Sequence, residues 1–239
     1  MRKVLGALRR ADERFNLIEN GDKIAVGLSG GKDSMLLLYA LMLYKKFKKK
    51  DYRLHAVTVD LGFNGFQSGI VESYAEKLGV PLDIVHTQIG EIVFDIRQEK
   101  NPCALCAKMR KGALYERAKE LGCNKAAFAH HADDAVQTLV MSMLYEARLN
   151  TFSPKSYLDR QDITLIRPLI MLFEDDVISA VQRNDIPFFK NPCPADLHTK
   201  REESKDILDY LGSVAPEAKK RIFTALLNDQ TYNLWNKPF

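Results

Sequence analysis

The run Gly27-Leu28-Ser29-Gly30-Gly31-Lys32-Asp33-Ser34, directly after the apolar triplet Ile24-Ala25-Val26, constrains this chain more than any other feature. It reads as a strand, a glycine turn and a helix start, the place where an α/β sheet holds an anion. Paired glycines let the backbone turn sharply, so that successive N–H groups can point at one negative charge. The amides and macrodipole of a helix N-terminus add to that attraction. Lys32 brings a mobile positive charge, and Ser29 and Ser34 bring hydroxyl donors. An ordinary glycine turn is the bland alternative; six matching residues at a strand end argue against it.

The spacing separates this loop from the commoner nucleotide cradles. A Walker loop needs a glycine five positions before Gly31, where Val26 stands, and Ser or Thr after Lys32, where Asp33 stands. No dinucleotide G-x-G-x-x-G occurs. The pattern S-G-G-x-D-S instead resembles the PP-loop of ATP pyrophosphatases, which cleave ATP between its α and β phosphates and transfer AMP.

Length and composition fit an enzyme of one main domain. The chain has 239 residues and is 46% hydrophobic, enough for one α/β core with a helical appendage. Its longest apolar stretch, Met35 to Tyr44, falls short of the roughly 18 residues that cross a bilayer. Met1-Arg2-Lys3-Val4 opens no secretion signal. A cytoplasmic location without membrane attachment is therefore expected, and there four cysteines point to metal or redox chemistry before disulfides. Net charge is only +4. The cations nonetheless cluster: Lys45, Lys46, Lys48, Lys49, Lys50 and Arg53; Arg2, Lys3, Arg9 and Arg10; Lys108, Arg110 and Lys111; Lys219, Lys220 and Arg221. One such cluster is usually a solvated helix face or a helix-end complement. Four in a phosphate-handling chain favour an RNA surface.

Periodicity predicts a helix over 1–20, a strand over 23–28, a helix over 34–47, a strand over 54–60, a helix over 70–78 and a strand over 82–87. The alternation then resumes with a helix from Cys103 to about Leu121, a strand over 125–129, a helix over 132–145, a strand over 163–166 and a helix over 175–183. Two more helices, 200–211 and 217–227, form a tail. The expected architecture is a doubly wound parallel α/β sheet with a helical C-terminal tail. Its parts would be an N-terminal helix (1–20), a catalytic domain (21–198) and the tail (199–239). Residues 62–69 and 146–162, rich in Gly, Ser, Asn and Pro, read as loops.

Two further constellations carry chemistry. Asn101-Pro102-Cys103-Ala104-Leu105-Cys106 sets two thiols one turn apart at a helix start, where thiolate is favoured. Asn191-Pro192-Cys193-Pro194 adds a third. Zinc on these three with a histidine such as His198, a thioredoxin-type dithiol of Cys103 and Cys106, and a [4Fe–4S] cluster on three thiolates with one iron left free are all compatible with the spacing. Cys123, with no sequence partner, reads as a small hydrophobe. The second constellation, His130-His131-Ala132-Asp133-Asp134-Ala135-Val136-Gln137-Thr138, follows a strand. Asp133 or Asp134 there could hold Mg²⁺ beside substrate phosphates, or Asp133 could simply cap the helix. His130 and His131 could orient phosphate or be structural.

Taken together, S-G-G-K-D-S, C-x-x-C, H-H-x-D-D-x-x-Q-T and a downstream Pro-Cys resemble the tRNA 2-thiocytidine synthetase family, within the PP-loop ATP pyrophosphatases, from about residue 23 to 210. Ile166-Arg167-Pro168-Leu169 fits as well. The resemblance implies a Rossmann-like, adenine nucleotide alpha hydrolase-like fold. It implies a [4Fe–4S] cluster on Cys103, Cys106 and Cys193, and ATP with Mg²⁺ at Ser29, Gly30, Gly31, Lys32, Asp33 and Ser34, with Asp60 and His131 joining the nucleotide site. Sulfur would enter C2 of a cytidine in a tRNA anticodon loop through an adenylated intermediate, with Lys32, Asp134 and the three cysteines as catalytic groups. A cysteine desulfurase or free sulfide would donate the sulfur, and a homodimer is the expected assembly. The related 2-thiouridine enzymes carry terminal zinc-finger cysteine clusters that this chain lacks, and they use a lysine shortly after C-x-x-C where this chain has Lys108-Met109-Arg110-Lys111. The rival readings are a lysidine-type tRNA ligase, a cluster-dependent desulfurase and a non-enzymatic ATP- or redox-sensing module.

Overall fold

The computed structural model describes residues 1–98, 102–190, 192–193 and 200–228. The calls on Asn101, Asn191, Pro194 and His198 lie outside the described residues. The chain divides into two compact units, one of Met1–His131 with Ser153–Asp196, the other of Ala132–Phe152 with Leu197–Phe239.

The first unit is built on a six-stranded sheet. Its strands are β1 (Lys23–Gly27), β2 (Arg53–Asp60), β3 (Leu82–His86), β4 (Lys125–Ala127), β5 (Lys155–Leu158) and β6 (Ile163–Ile166), in the order β3-β2-β1-β4-β6-β5. All pairings are parallel except β5 with β6. The doubly wound parallel sheet is thus borne out, with one antiparallel edge. β5 falls inside 146–162, which the sequence presents as a loop. A four-residue strand leaves almost no alternation to read, and Lys155–Leu158 takes its conformation from pairing with Ile163–Ile166.

β1 lies between β2 and β4, with Val26 opposite Ala56 on one side and Ala127 on the other. The strand order reverses there, so the crevice beyond the C-terminal ends of β1 and β4 is the ligand position of such sheets. Alternation turns Ala25, Val57, Ala126 and Leu165 to one face. There they bury Leu114, Tyr115 and Ala118 of helix α5 (Pro102–Glu120). Pro102 opens α5 at a position where its missing N–H costs nothing.

Helix α2 (Lys32–Lys48) leaves the glycine turn directly. Met35, Leu36, Leu37, Leu38, Ala40, Leu41 and Tyr44 are all wholly buried. An interior helix of this kind is apolar on every side. Asp33 in its first turn and Lys45, Lys46 and Lys48 in its last complement the helix dipole. It packs against α1 (Arg2–Phe15) and α7 (Glu174–Arg183). Helix α1 stops at Phe15, short of the expected residue 20. Asn16 turns left-handed, and the Ile18 amide donates to the buried Asp12 carboxylate, so Leu17 and Ile18 reach the core from outside the helix.

The remaining helices of this unit are α3 (Ser68–Leu78) and a short α4 (Ile89–Glu91) that continues as a π-helical turn, Ile92–Ile96. The second unit holds α6 (Ala132–Glu146), α8 (Lys200–Val214) and α9 (Ala218–Leu227), each packed on the other two. No helix among the described residues is long and apolar enough to cross a membrane.

Candidate active site

The glycine loop lies at the C-terminal end of β1. Its base is tied to β2, because the Leu28 amide donates to Val57 O at 2.9 Å and the Thr58 hydroxyl donates to Leu28 O at 2.8 Å. Gly30 adopts φ +81°, a conformation that disfavours any side chain. The two serines shape the loop from within. Ser34 Oγ accepts the Ser29 amide at 3.1 Å and donates to Gly31 O at 2.9 Å. Ser29 Oγ lies 3.1 Å from Ser34 Oγ and accepts the Gly31 amide at 3.4 Å. Their hydroxyls therefore hold the turn open, and the first amides of α2, which have no acceptor inside the helix, are the donors set at the loop.

Lys32 lies between two acids, 3.2 Å from Asp33 Oδ1 and 3.2 Å from Glu174 Oε1. Burial pushes its pKa down, but the two carboxylates outweigh that and hold it above the usual lysine value. The loop thus carries a fixed positive charge. The buried Asp33 Oδ1 that faces the Lys32 ammonium is also approached by His131 Nε2 at 3.9 Å. His131, only 4% exposed, follows β4 at the switch point. Asp60 ends β2 and organises the neighbouring loop: its carboxylate accepts the Gly62 amide at 2.9 Å and contacts His86 Nδ1 at 3.1 Å.

The cysteines come together from distant parts of the sequence. Cys103 is exposed, while Cys106 and Cys193 are partly buried. Cys106 packs against the apolar cluster of Leu61, Ile89 and Val93. Burial pushes its thiol pKa up, the Arg110 guanidinium pulls it down, and Cys193 and Cys103 push it up again. The three sulfurs therefore share one electrostatic neighbourhood. Among the described residues no three His, Cys, Asp or Glu side chains are grouped closely enough to hold a metal ion. Cys123 is buried in the α5 core, as a small hydrophobe would be.

Positive charge also gathers beside α5, and sequence spacing gave no sign of one contributor. Arg167, just past β6, is 6% exposed and donates to Ser153 O; burial pushes its guanidinium down to about 10. Burial, then Arg167 and Arg110, lower the pKa of Lys111. Arg167 and Lys111 sit at widely separated positions, and only the fold brings them together.

Asp133 and Asp134 open α6 in the second unit. Asp133 is 3% exposed and ion-paired with Lys219 at 3.3 Å. That lysine, from the fourth basic cluster of the sequence, already neutralises the carboxylate. In the first cluster, Lys48 and Lys50 are likewise engaged, by Glu13 and Asp12, each at 2.6 Å.

A family model described as a PP-loop domain matches residues 7–205. A tRNA-cytidine(32) 2-sulfurtransferase from Syntrophotalea carbinolica is 36% identical over 236 residues, covering 98% of this chain and 91% of that protein. One from Aliivibrio fischeri is 38% identical over 216 residues, covering 90% of this chain and 70% of that protein. The chain belongs to the PP-loop tRNA-cytidine 2-sulfurtransferase family. Among solved structures, the U34-tRNA thiolase NcsA from Methanococcus maripaludis with its [4Fe–4S] cluster superposes with TM-score 0.76 at 27% identity, covering 95% of this chain and 78% of that one. An NH3-dependent NAD synthetase from Campylobacter jejuni, 14% identical with TM-score 0.52, shares the fold.

Proposed function

We propose that this PP-loop family member is an ATP- and iron–sulfur-dependent tRNA thiolase that replaces the C2 oxygen of an anticodon-loop cytidine with sulfur. One observation carries the reading: the glycine loop at the end of β1, Cys103 and Cys106 at the head of α5, and Cys193 after α7 belong to the same compact unit. The names of the relatives and of the cluster-bearing structural neighbour support it.

In the first half of the reaction the cytosine C2 oxygen attacks the α-phosphorus of ATP. The O–P bond forms as the α,β-bridging P–O bond breaks, and pyrophosphate leaves. Lys32 and the amides at the head of α2 stabilise the growing phosphate charge, the kind of preorganised stabilisation that dominates most catalysis. Mg²⁺ would arrive with the nucleotide, held chiefly by phosphate oxygens; Asp33, within the loop, is one carboxylate that could assist. In the second half a sulfide nucleophile attacks C2, the C–O bond to the adenylyl group breaks, and AMP leaves with the former carbonyl oxygen. No electrons are exchanged when the donor is sulfide.

Cys103, Cys106 and Cys193 fit a [4Fe–4S] cluster as three soft donors, with Arg110 opposing the burial that raises the Cys106 thiol. Such a cluster supplies an iron position open to sulfur for delivery to C2. We further propose Asp134 for substrate activation and Arg110 and Lys111 as cations facing the RNA backbone. Sulfur would come from free sulfide or a cysteine desulfurase, and the cytoplasm would be the place of action.

Elemental analysis of anaerobically purified protein tests the cluster. About four iron and four sulfide per chain are expected. Stoichiometric zinc without iron would remove the iron–sulfur part of the reading.

A further inference from the structure

Phe189 ties the glycine loop to the strap that leads to Cys193. Its amide donates to Gly30 O at 3.0 Å. Its ring, 7% exposed, fills the space a Cβ on Gly30 would need. The ring is held from behind by Phe66, edge-on at 5.7 Å and 69°. Upstream, Ile186 anchors the same strap, with its amide on Val181 O at 3.1 Å and its side chain 5% exposed. Helix α7 thus contacts the loop at both ends, through Glu174 on Lys32 and through the strap after Arg183 on Gly30. Cys193 follows four positions after Phe189.

From this geometry we infer that Phe189 is a positioning residue that couples nucleotide in the loop to the placement of the Cys193 strap. The inference rests on the nucleotide and thiol roles proposed above. Phosphate bound by the loop amides restrains Gly30, whose carbonyl and missing side chain both define where Phe189 sits. A close-packed ring transmits that restraint, since an interior contact does not deform gradually. The coupling is reciprocal, so a strap fixed at Cys193 stiffens the loop for nucleotide.

Hydrogen–deuterium exchange on the anaerobically purified full chain, with and without α,β-methylene-ATP, tests this. In the wild type the analogue slows exchange of residues 28–34 and also, by about tenfold, of residues 186–190. In Phe189→Ala the analogue still protects 28–34, but 186–190 no longer responds. Phe189→Leu, which keeps an apolar filler, restores most of the response. Phe66→Ala, which leaves the Gly30 contact in place, weakens it. Iodoacetamide labelling of Cys193 in the chelator-treated full chain follows the same pattern, with Cys123 as the unresponsive control. Protection of 186–190 that survives in Phe189→Ala, or wild-type protection confined to 28–34, overturns the coupling. A wild type that binds no analogue at all overturns the nucleotide reading on which the coupling rests.

Discussion

The Lys32 ammonium lies 3.2 Å from Glu174 Oε1, so the first turn of α7 fixes the charge of the glycine loop. Lys32→Met removes that charge from the developing phosphate, and kcat/KM for ATP should fall by about 10²–10³. Glu174→Gln leaves the lysine in place but loosens it. This partly exposed pair contributes little on its own, so the fall should stay under about tenfold. Steady-state pyrophosphate release measures both variants.

The cysteine trio makes a separate prediction. Cys193→Ala takes away a thiol far from the C-x-x-C in sequence, and iron and labile sulfide should drop to near background, while nucleotide affinity falls only by the share that a strap fixed at Cys193 lends the loop, a few-fold at most. Anaerobic metal analysis alongside a fluorescent-nucleotide titration separates the two effects. Full thiolation by a triple Cys103, Cys106 and Cys193 alanine variant would instead select a lysidine-type ligase chemistry.

At the opposite end of β1 a buried ion pair holds the sheet. Lys125 Nζ lies 2.7 Å from Asp22 Oδ2, each side chain 4% exposed, and it also donates to Leu17 O at 3.0 Å. Lys125→Met strands the Asp22 charge and should cost about 3–5 kcal/mol in urea unfolding. Adding Asp22→Asn removes the stranded charge, so the double variant should lose less than Lys125→Met alone.

Acid should weaken the protein at Asp83. Burial pushes its carboxyl pKa up, but hydrogen bonds from Arg117 and His55 outweigh that and hold it below the usual aspartate value. A carboxylate held low in the folded state adds stability above its ordinary pKa, and that stability is lost as pH falls through the lowered value. The stability gap between wild type and Asp83→Asn should be constant above about pH 5 and shrink steadily below about pH 4. Unfolding midpoints across that range measure it.

What the sequence made legible were features written within a few residues. The glycine loop and the alternation from β1 to β3 are local, because apolar period and turn residues fix them. What it concealed depends on distant pairing. Glu174 stands just outside the helix expected over 175–183, and nothing near it in sequence announces that it holds Lys32. The pairing of Asp133 with Lys219, from the fourth basic cluster, is likewise announced by no local pattern. That the hydroxyls of Ser29 and Ser34 brace the turn from within is legible only in the folded loop. Phe189 carries no motif at all; the only hint of it is Gly30, a position where something was bound to come close.

The most direct measurement counts AMP against thiolated nucleoside. Anaerobically prepared protein is given ATP, Mg²⁺, sulfide and unmodified tRNA, and both products are quantified by mass spectrometry. One AMP and one pyrophosphate per 2-thiocytidine is the expected result. ADP in place of AMP, or 2-thiocytidine formed without ATP, would contradict adenylation at the glycine loop as the route to sulfur insertion.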